Sequence, residues 1–238
     1  MTRATFVQLE LAGAIGLPEG RYLVREDETE RVLIVQVAGA RRAERRIRRR
    51  GKPAEPGERE SVPVTRLTVT GETVADAAEG DAWLDQVTRS TERAPAEVRS
   101  ATRVVNRALS ALRAGAADPL VQEIGASRAL AIRIGHGTGD ELAEGRWTAA
   151  RELPRPRPDR LDDVDPQSRV AAVLAGRDQV HPAETLMLRA RLDAEQGRDA
   201  EAHYGLRAAR TALEEQPTER EAKIRKQLDA LEAKLRAD

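Results

Sequence analysis

The sequence predicts an α+β domain followed by an all-α domain. Three observations predict it. Apolar and polar side chains alternate with the period of a strand in several segments of residues 5–70. From about residue 73 to 114, and again after about 166, apolar residues fall at helical spacing. Between these stretches, Leu153-Pro154-Arg155-Pro156-Arg157-Pro158 alternates proline with arginine, which keeps a chain extended and solvated. The boundaries follow: an α+β domain over 1–152 with a small, mostly antiparallel sheet and packed helices, a Pro/Arg linker over 153–160, and a helical bundle over 161–238.

Each element has its own signal. Thr5 to Leu11 sets Phe6, Gln8 and Glu10 against Val7, Leu9 and Leu11, the pattern of a half-buried strand. Leu17-Pro18-Glu19-Gly20 turns the chain into a short strand, Arg21–Arg25. Asp27-Glu28-Thr29-Glu30 is a hairpin connection. Arg31 to Ala38 is an almost continuously apolar strand, Val32-Leu33-Ile34-Val35-Gln36-Val37, which suits a central position and obliges Gln36 to find a hydrogen-bond partner. Val62 to Thr70 alternates again, and Pro63 confines its start to an edge or to the residue after Pro63.

Thr73 to Thr88 reads as helix, with Gly80 as a break. Pro95 opens a second helix whose stripe of Val98, Ala101, Thr102, Val105, Ala108, Leu109 and Leu112 ends at Gly115. A short helix is expected over Asp118–Ile124, a strand over Arg128–Gly135, a glycine loop through Asp140, and a helix over Glu141–Ala150 around Trp147. Helices are expected over 166–176, 182–196, 199–215 and 218–236, punctuated by Gly176, Gly197 and Pro217.

Composition narrows the chemistry. Lys+Arg and Asp+Glu each number 40 among 238 residues, so the net charge is zero and any basic patch is local. Lysine occurs only at Lys52, Lys223, Lys226 and Lys234. The arginine excess fits a GC-rich coding bias as well as bidentate recognition of carboxylate or phosphate. There is no cysteine, which removes disulfides, thiolate metal sites and thiol nucleophiles. The aromatics are Phe6, Tyr22, Trp83, Trp147 and Tyr204, too few for a base-stacking platform. No apolar run approaches the ~20 residues of a membrane span, and the first residues lack a signal core, so a cytoplasmic protein is expected.

Two motifs carry the candidate sites. Arg41, Arg42, Arg45, Arg46, Arg48, Arg49 and Arg50 crowd ten residues within an arginine-rich loop over 41–60. Such a run can clamp nucleic-acid phosphates with steep salt dependence. It can equally bind an acidic protein, or lie solvated against Glu55, Glu58 and Glu60. Gly135, Gly137 and Gly139 follow a strand and precede a helix, the order of an anion-binding cradle. The spacing is neither a dinucleotide fingerprint nor a P-loop, and Asp140 and Glu141 put negative charge where an anion would sit. An ordinary glycine turn with Asp140 as helix cap competes with that reading.

No catalytic set, metal site or cofactor is expected. His136, His181 and His203 lack ligand spacing, no serine sits in a nucleophile elbow, and Asp162, Asp163 and Asp165 adjoin the proline-rich linker. In the C-terminal part, Leu186, Ala190, Gly197, Ala202, Leu206 and Ala209, with the turn Gln196–Ala202, resemble one tetratricopeptide-like helical hairpin. The resemblance covers about thirty-four residues and lacks the usual aromatic positions, with Pro217 about three residues late. It implies a protein-contact surface, and an ordinary antiparallel bundle would serve as well. The expected function is therefore a non-enzymatic adaptor, scaffold or assembly protein that contacts protein partners or itself. Nucleic-acid binding through the arginine run is the alternative. A third possibility is an enzyme with a phosphate-type ligand, for which His136, Asp140 and Glu141 are the testable residues.

Overall fold

The alternation that starts at Thr5 builds the middle of a six-stranded antiparallel sheet. In the computed structural model, which describes residues 3–26, 29–38, 63–156 and 166–237, the strands are β1 (Arg3–Ala12), β2 (Gly20–Glu26), β3 (Thr29–Ala38), β4 (Val64–Val74), β5 (Ala131–Thr138) and β6 (Ala149–Leu153). Their order is β2-β3-β4-β1-β5-β6. β1 lies between β4 and β5, so it is buried along most of its length.

One face is covered by α1 (Ala77–Arg89) and α2 (Arg93–Ala116), which follow β4. Val7, Leu9, Leu33, Val35, Leu67, Val69, Ile132 and Ile134 pack there against Leu84, Val87, Val98, Val105 and Leu109. The opposite face is covered in part by α3 (Gly139–Ala143) and the turn after it. Phe6, Ile34 and Leu142 pack there with Trp147, whose ring centroid is 6.0 Å from that of Phe6. β3 therefore has apolar residues on both faces, as its continuous run requires.

Several local expectations need correction. Gly80 does not break α1; Asp76 caps that helix by accepting from the Glu79 N–H. Gly115 lies inside α2, and the left-handed C-cap is Ala117, at φ 50°. The span 118–124 is not helical. It is held to α2 by Asn106, which accepts from Ile124 N at 2.8 Å and donates to Ile124 O at 3.0 Å, and by Arg113, which donates to Val121 O. Gly135 and Gly137 belong to β5, not to a loop. The helix expected over 141–150 is only α3, after which the chain turns at Gly145 (φ 73°) into β6.

The chain divides into two compact units, Met1–Pro158 and Asp159–Asp238. The second unit contains α4 (Pro166–Leu174), α5 (Pro182–Glu195), α6 (Asp199–Glu215) and α7 (Glu221–Ala237). Met187, Ala190, Leu206, Leu213, Ile224 and Leu228 form its core. α5 and α6 approach closely: a Cβ on Gly205 would stand 2.9 Å from Ala190 Cβ. His181 caps α5, with Nδ1 accepting from Ala183 N and Nε2 donating to Gln216 O at 2.7 Å. Glu184, buried beneath that cap, pairs with Arg169 and Arg220.

Candidate functional site

The seven arginines from Arg41 to Arg50 lie outside the described residues. Their flanks are described: Ala38 and Val64 stand opposite each other on β3 and β4. These two flanking residues are therefore neighbours at one end of the sheet.

The glycine segment is occupied by the protein itself. A Cβ on Gly135 would fall 2.1 Å from the Ala149 carbonyl, so glycine is what lets β6 lie close to β5. A Cβ on Gly137 would press on Trp147, Glu141 and Leu142 at 3.2–3.3 Å. Gly139 opens the five-residue α3. Where an anion would sit, Glu141 Oε2 accepts from Thr138 N at 2.8 Å and Thr148 Oγ1 at 3.0 Å. The Thr138 N–H leads the forces that hold this carboxyl below the usual glutamate range, against the opposing effect of burial. Thr138, not Asp140, is the N-cap, in a reciprocal capping box with Glu141. Asp140 sits exposed in the first turn.

His136 is fully buried, with Nε2 2.9 Å from Asp81 Oδ1. Donation from Nε2 to that carboxylate leaves Nδ1 as an acceptor with no partner among the described residues. A Cβ on Gly80 would meet the imidazole at 2.5 Å, so the first turn of α1 rests directly on the ring. The Asp81–His136 pair thus fastens α1 to β5. Among the described residues, no three His, Cys, Asp or Glu side chains are placed to hold a metal ion. None of the described helices is long and apolar enough to cross a membrane.

The open face of the sheet carries a polar network that the sequence reading missed. Glu10 lies between Arg66 at 3.1 Å and Arg133 at 2.9 Å. Gln8 donates to Thr68 Oγ1 at 2.9 Å and accepts from Arg133, whose guanidinium stacks 5.7 Å from the Trp147 centroid. Burial alone would raise the Glu10 carboxyl; the two guanidiniums outweigh it and keep the carboxyl below its ordinary value. Gln36 donates to Ala143 O at 2.8 Å, while its Oε1 is buried without a partner among the described residues. Only half of the need foreseen for Gln36 is met. These residues occupy the alternate positions of β1, β3, β4 and β5 that face away from α1 and α2. A period-two reading could have grouped them had the strand order been known.

The remaining feature is an edge. β2 ends the sheet and pairs only with β3 among the described residues. Val32 N donates across to Thr70 on β4, and Val37 N donates toward the β2 side, to Glu19. Even-numbered residues of β3 therefore direct their backbone groups at β4 and odd-numbered ones at β2. In an antiparallel pair a residue's N–H and C=O leave on the same side. Leu23 is opposite Val32, and Arg21 and Arg25 are opposite Ile34 and Glu30. Arg21, Leu23 and Arg25 thus direct their backbone N–H and C=O outward.

On the helix side of that edge lies a groove of about 570 Å³. Tyr22 and Val24 form one wall, Ala108, Ala111 and Leu112 of α2 the other, and Leu17 and Pro18 close one end. Arg25 and Arg107 line its rim. The chain matches no protein-family model, no curated protein and no solved structure.

Proposed function

We propose that the protein is a non-enzymatic adaptor or assembly protein acting through protein contacts, and that β2 with its adjoining groove is the contact. One observation carries the reading: three outward-facing backbone positions coincide with an apolar groove along the same edge. An extended segment added to β2 satisfies the outward N–H and C=O groups and sends alternate side chains between β2 and α2. That is the physics of β-strand addition, in which main-chain bonds supply affinity and pockets supply specificity. The exposed apolar side chains of the C-terminal unit also favour protein contacts: Val170, Leu174, Val180, Leu188 and Tyr204 are each more than half exposed.

Peptide display against the full chain, followed by hydrogen exchange, tests the proposal. Enriched peptides are expected to slow exchange at Arg21, Leu23 and Arg25. Leu23→Pro, which deletes one outward donor at a position where an edge strand tolerates proline, is expected to abolish that slowing. Ala111→Asp, which puts a charge into the groove, should do the same by a separate route. Absence of enrichment, or protection confined to other surfaces, overturns the reading.

A further inference from the structure

We infer that the segment docking on β2 comes from a partner protein and is acidic at two positions, with three apolar residues between them. The inference rests on the adaptor reading and adds the chemistry of the partner. An added antiparallel strand makes hydrogen-bonded pairs with Arg21, Leu23 and Arg25, because those residues have their backbone groups outward. The partner residues facing these three share their side of the sheet, away from α2. Two of them meet Arg21 and Arg25, and the third meets Leu23, which is 57% exposed. The partner residues facing Tyr22 and Val24 enter the groove. The complementary pattern is acidic, apolar, apolar, apolar, acidic.

The helix side of the edge, opposite the side that carries Arg21 and Arg25, is basic as well. Arg107 lines the groove, and Arg103 and Arg99 continue its stripe one and two turns earlier on α2, all exposed. Of the acidic groups nearby, Glu30 pairs with Arg25 at 2.7 Å, with both side chains more than half exposed, Glu19 accepts from Val37 N, and Glu26, Asp27 and Glu28 follow Arg25 in the sequence. A solvated pair such as Arg25–Glu30 holds its partners weakly.

A second copy of the chain fits poorly. The antiparallel register that uses all three outward positions on both copies sets Leu23 against Leu23. It then places Arg21 opposite Arg25 twice, and like charges directly opposite destabilise a strand pair.

Three labelled synthetic peptides test the inference on the full chain: Glu-Val-Val-Val-Glu flanked by serines, and the same peptide with serine or lysine for both glutamates. The glutamate peptide is expected to bind about tenfold tighter than the serine peptide, and the lysine peptide weaker than either. The glutamate advantage should shrink as salt rises from about 0.05 to about 0.5 M, a readout that needs no variant. Arg21→Ser with Arg25→Ser should erase the preference of the glutamate peptide over the serine peptide. Equal binding of all three peptides with β2 amides protected overturns the charge inference and leaves the adaptor reading standing. No protection by any peptide overturns both. A doubled mass in light scattering that Leu23→Pro abolishes, or protection of the same amides by oligothymidylate, also overturns the inference.

Discussion

The two edges of the sheet are finished differently. β6 has five residues, and its backbone alternates so that Ala150 and Glu152 face outward, since His136 O on β5 accepts from the β6 side. The next outward position in that alternation is Pro154, which has no N–H, and Pro156 follows two residues later. Arg151 is held by Asp85 and Thr88 of α1, which ties the strand down. β2 has seven residues, three outward positions without proline, and an apolar groove beside it. Unpaired edges invite pairing, and proteins blunt the ones they do not use. Among the described residues, one edge is blunted and the other is open.

The comparison can be broken most severely at β6. Gly135→Val forces a side chain into the Ala149 carbonyl, and a loss of about 3 kcal/mol in urea unfolding is expected, with faster exchange over Ala149–Leu153. Glu10→Gln is next. It removes the carboxylate between Arg66 and Arg133, the latter also bonded to Glu152 of β6, and should cost about 1–2 kcal/mol at neutral pH. Because the folded-state carboxyl is depressed, this contribution is complete above the ordinary value of 4.5 and is lost as pH falls through the folded value. The gap between wild type and variant should therefore close only below about pH 4.5, measured by urea midpoints across pH. Pro154→Thr with Pro156→Thr should change stability by less than about 0.5 kcal/mol. It should nevertheless create a β6 edge able to self-associate, seen as concentration-dependent mass in light scattering. Leu23→Pro should have the smallest effect on folding, within about 0.5 kcal/mol, while removing added-strand protection at β2.

The strands at Thr5, Arg21, Val32 and Val64 and the four C-terminal helices were legible because long periodic runs report burial directly. The sheet edges were not, because strand order is a tertiary property: nothing within Arg21–Arg25 says that only one neighbour pairs with it. β6 was missed because Ala-Ala-Arg-Glu-Leu is built of helix-favouring residues, and its strand state is imposed by pairing with β5. The glycines near residue 137 suit either an ordinary glycine turn or an anion cradle on sequence alone, and neither reading uses Thr138-x-x-Glu141, which is itself the sequence mark of a capping box. The Glu10 network draws on four strands whose adjacency no local pattern encodes. The arginine run, the most conspicuous feature of the sequence, lies outside the described residues, and the proposed contact rests on less conspicuous ones.

The facing of Ala38 and Val64 has an engineering consequence. Ala38 directs its backbone groups at β4, so the pair is of the kind that a two-residue Asn-Gly turn can close. Replacing residues 39–63 with that dipeptide should yield a tight β3–β4 hairpin with the β2 groove intact. Shortening the connection should raise stability by about 2 kcal/mol through lower closure entropy. Heparin retention by the excised protein, compared with the parent, then assigns polyanion affinity to the arginines or to the rest of the surface in a single chromatogram.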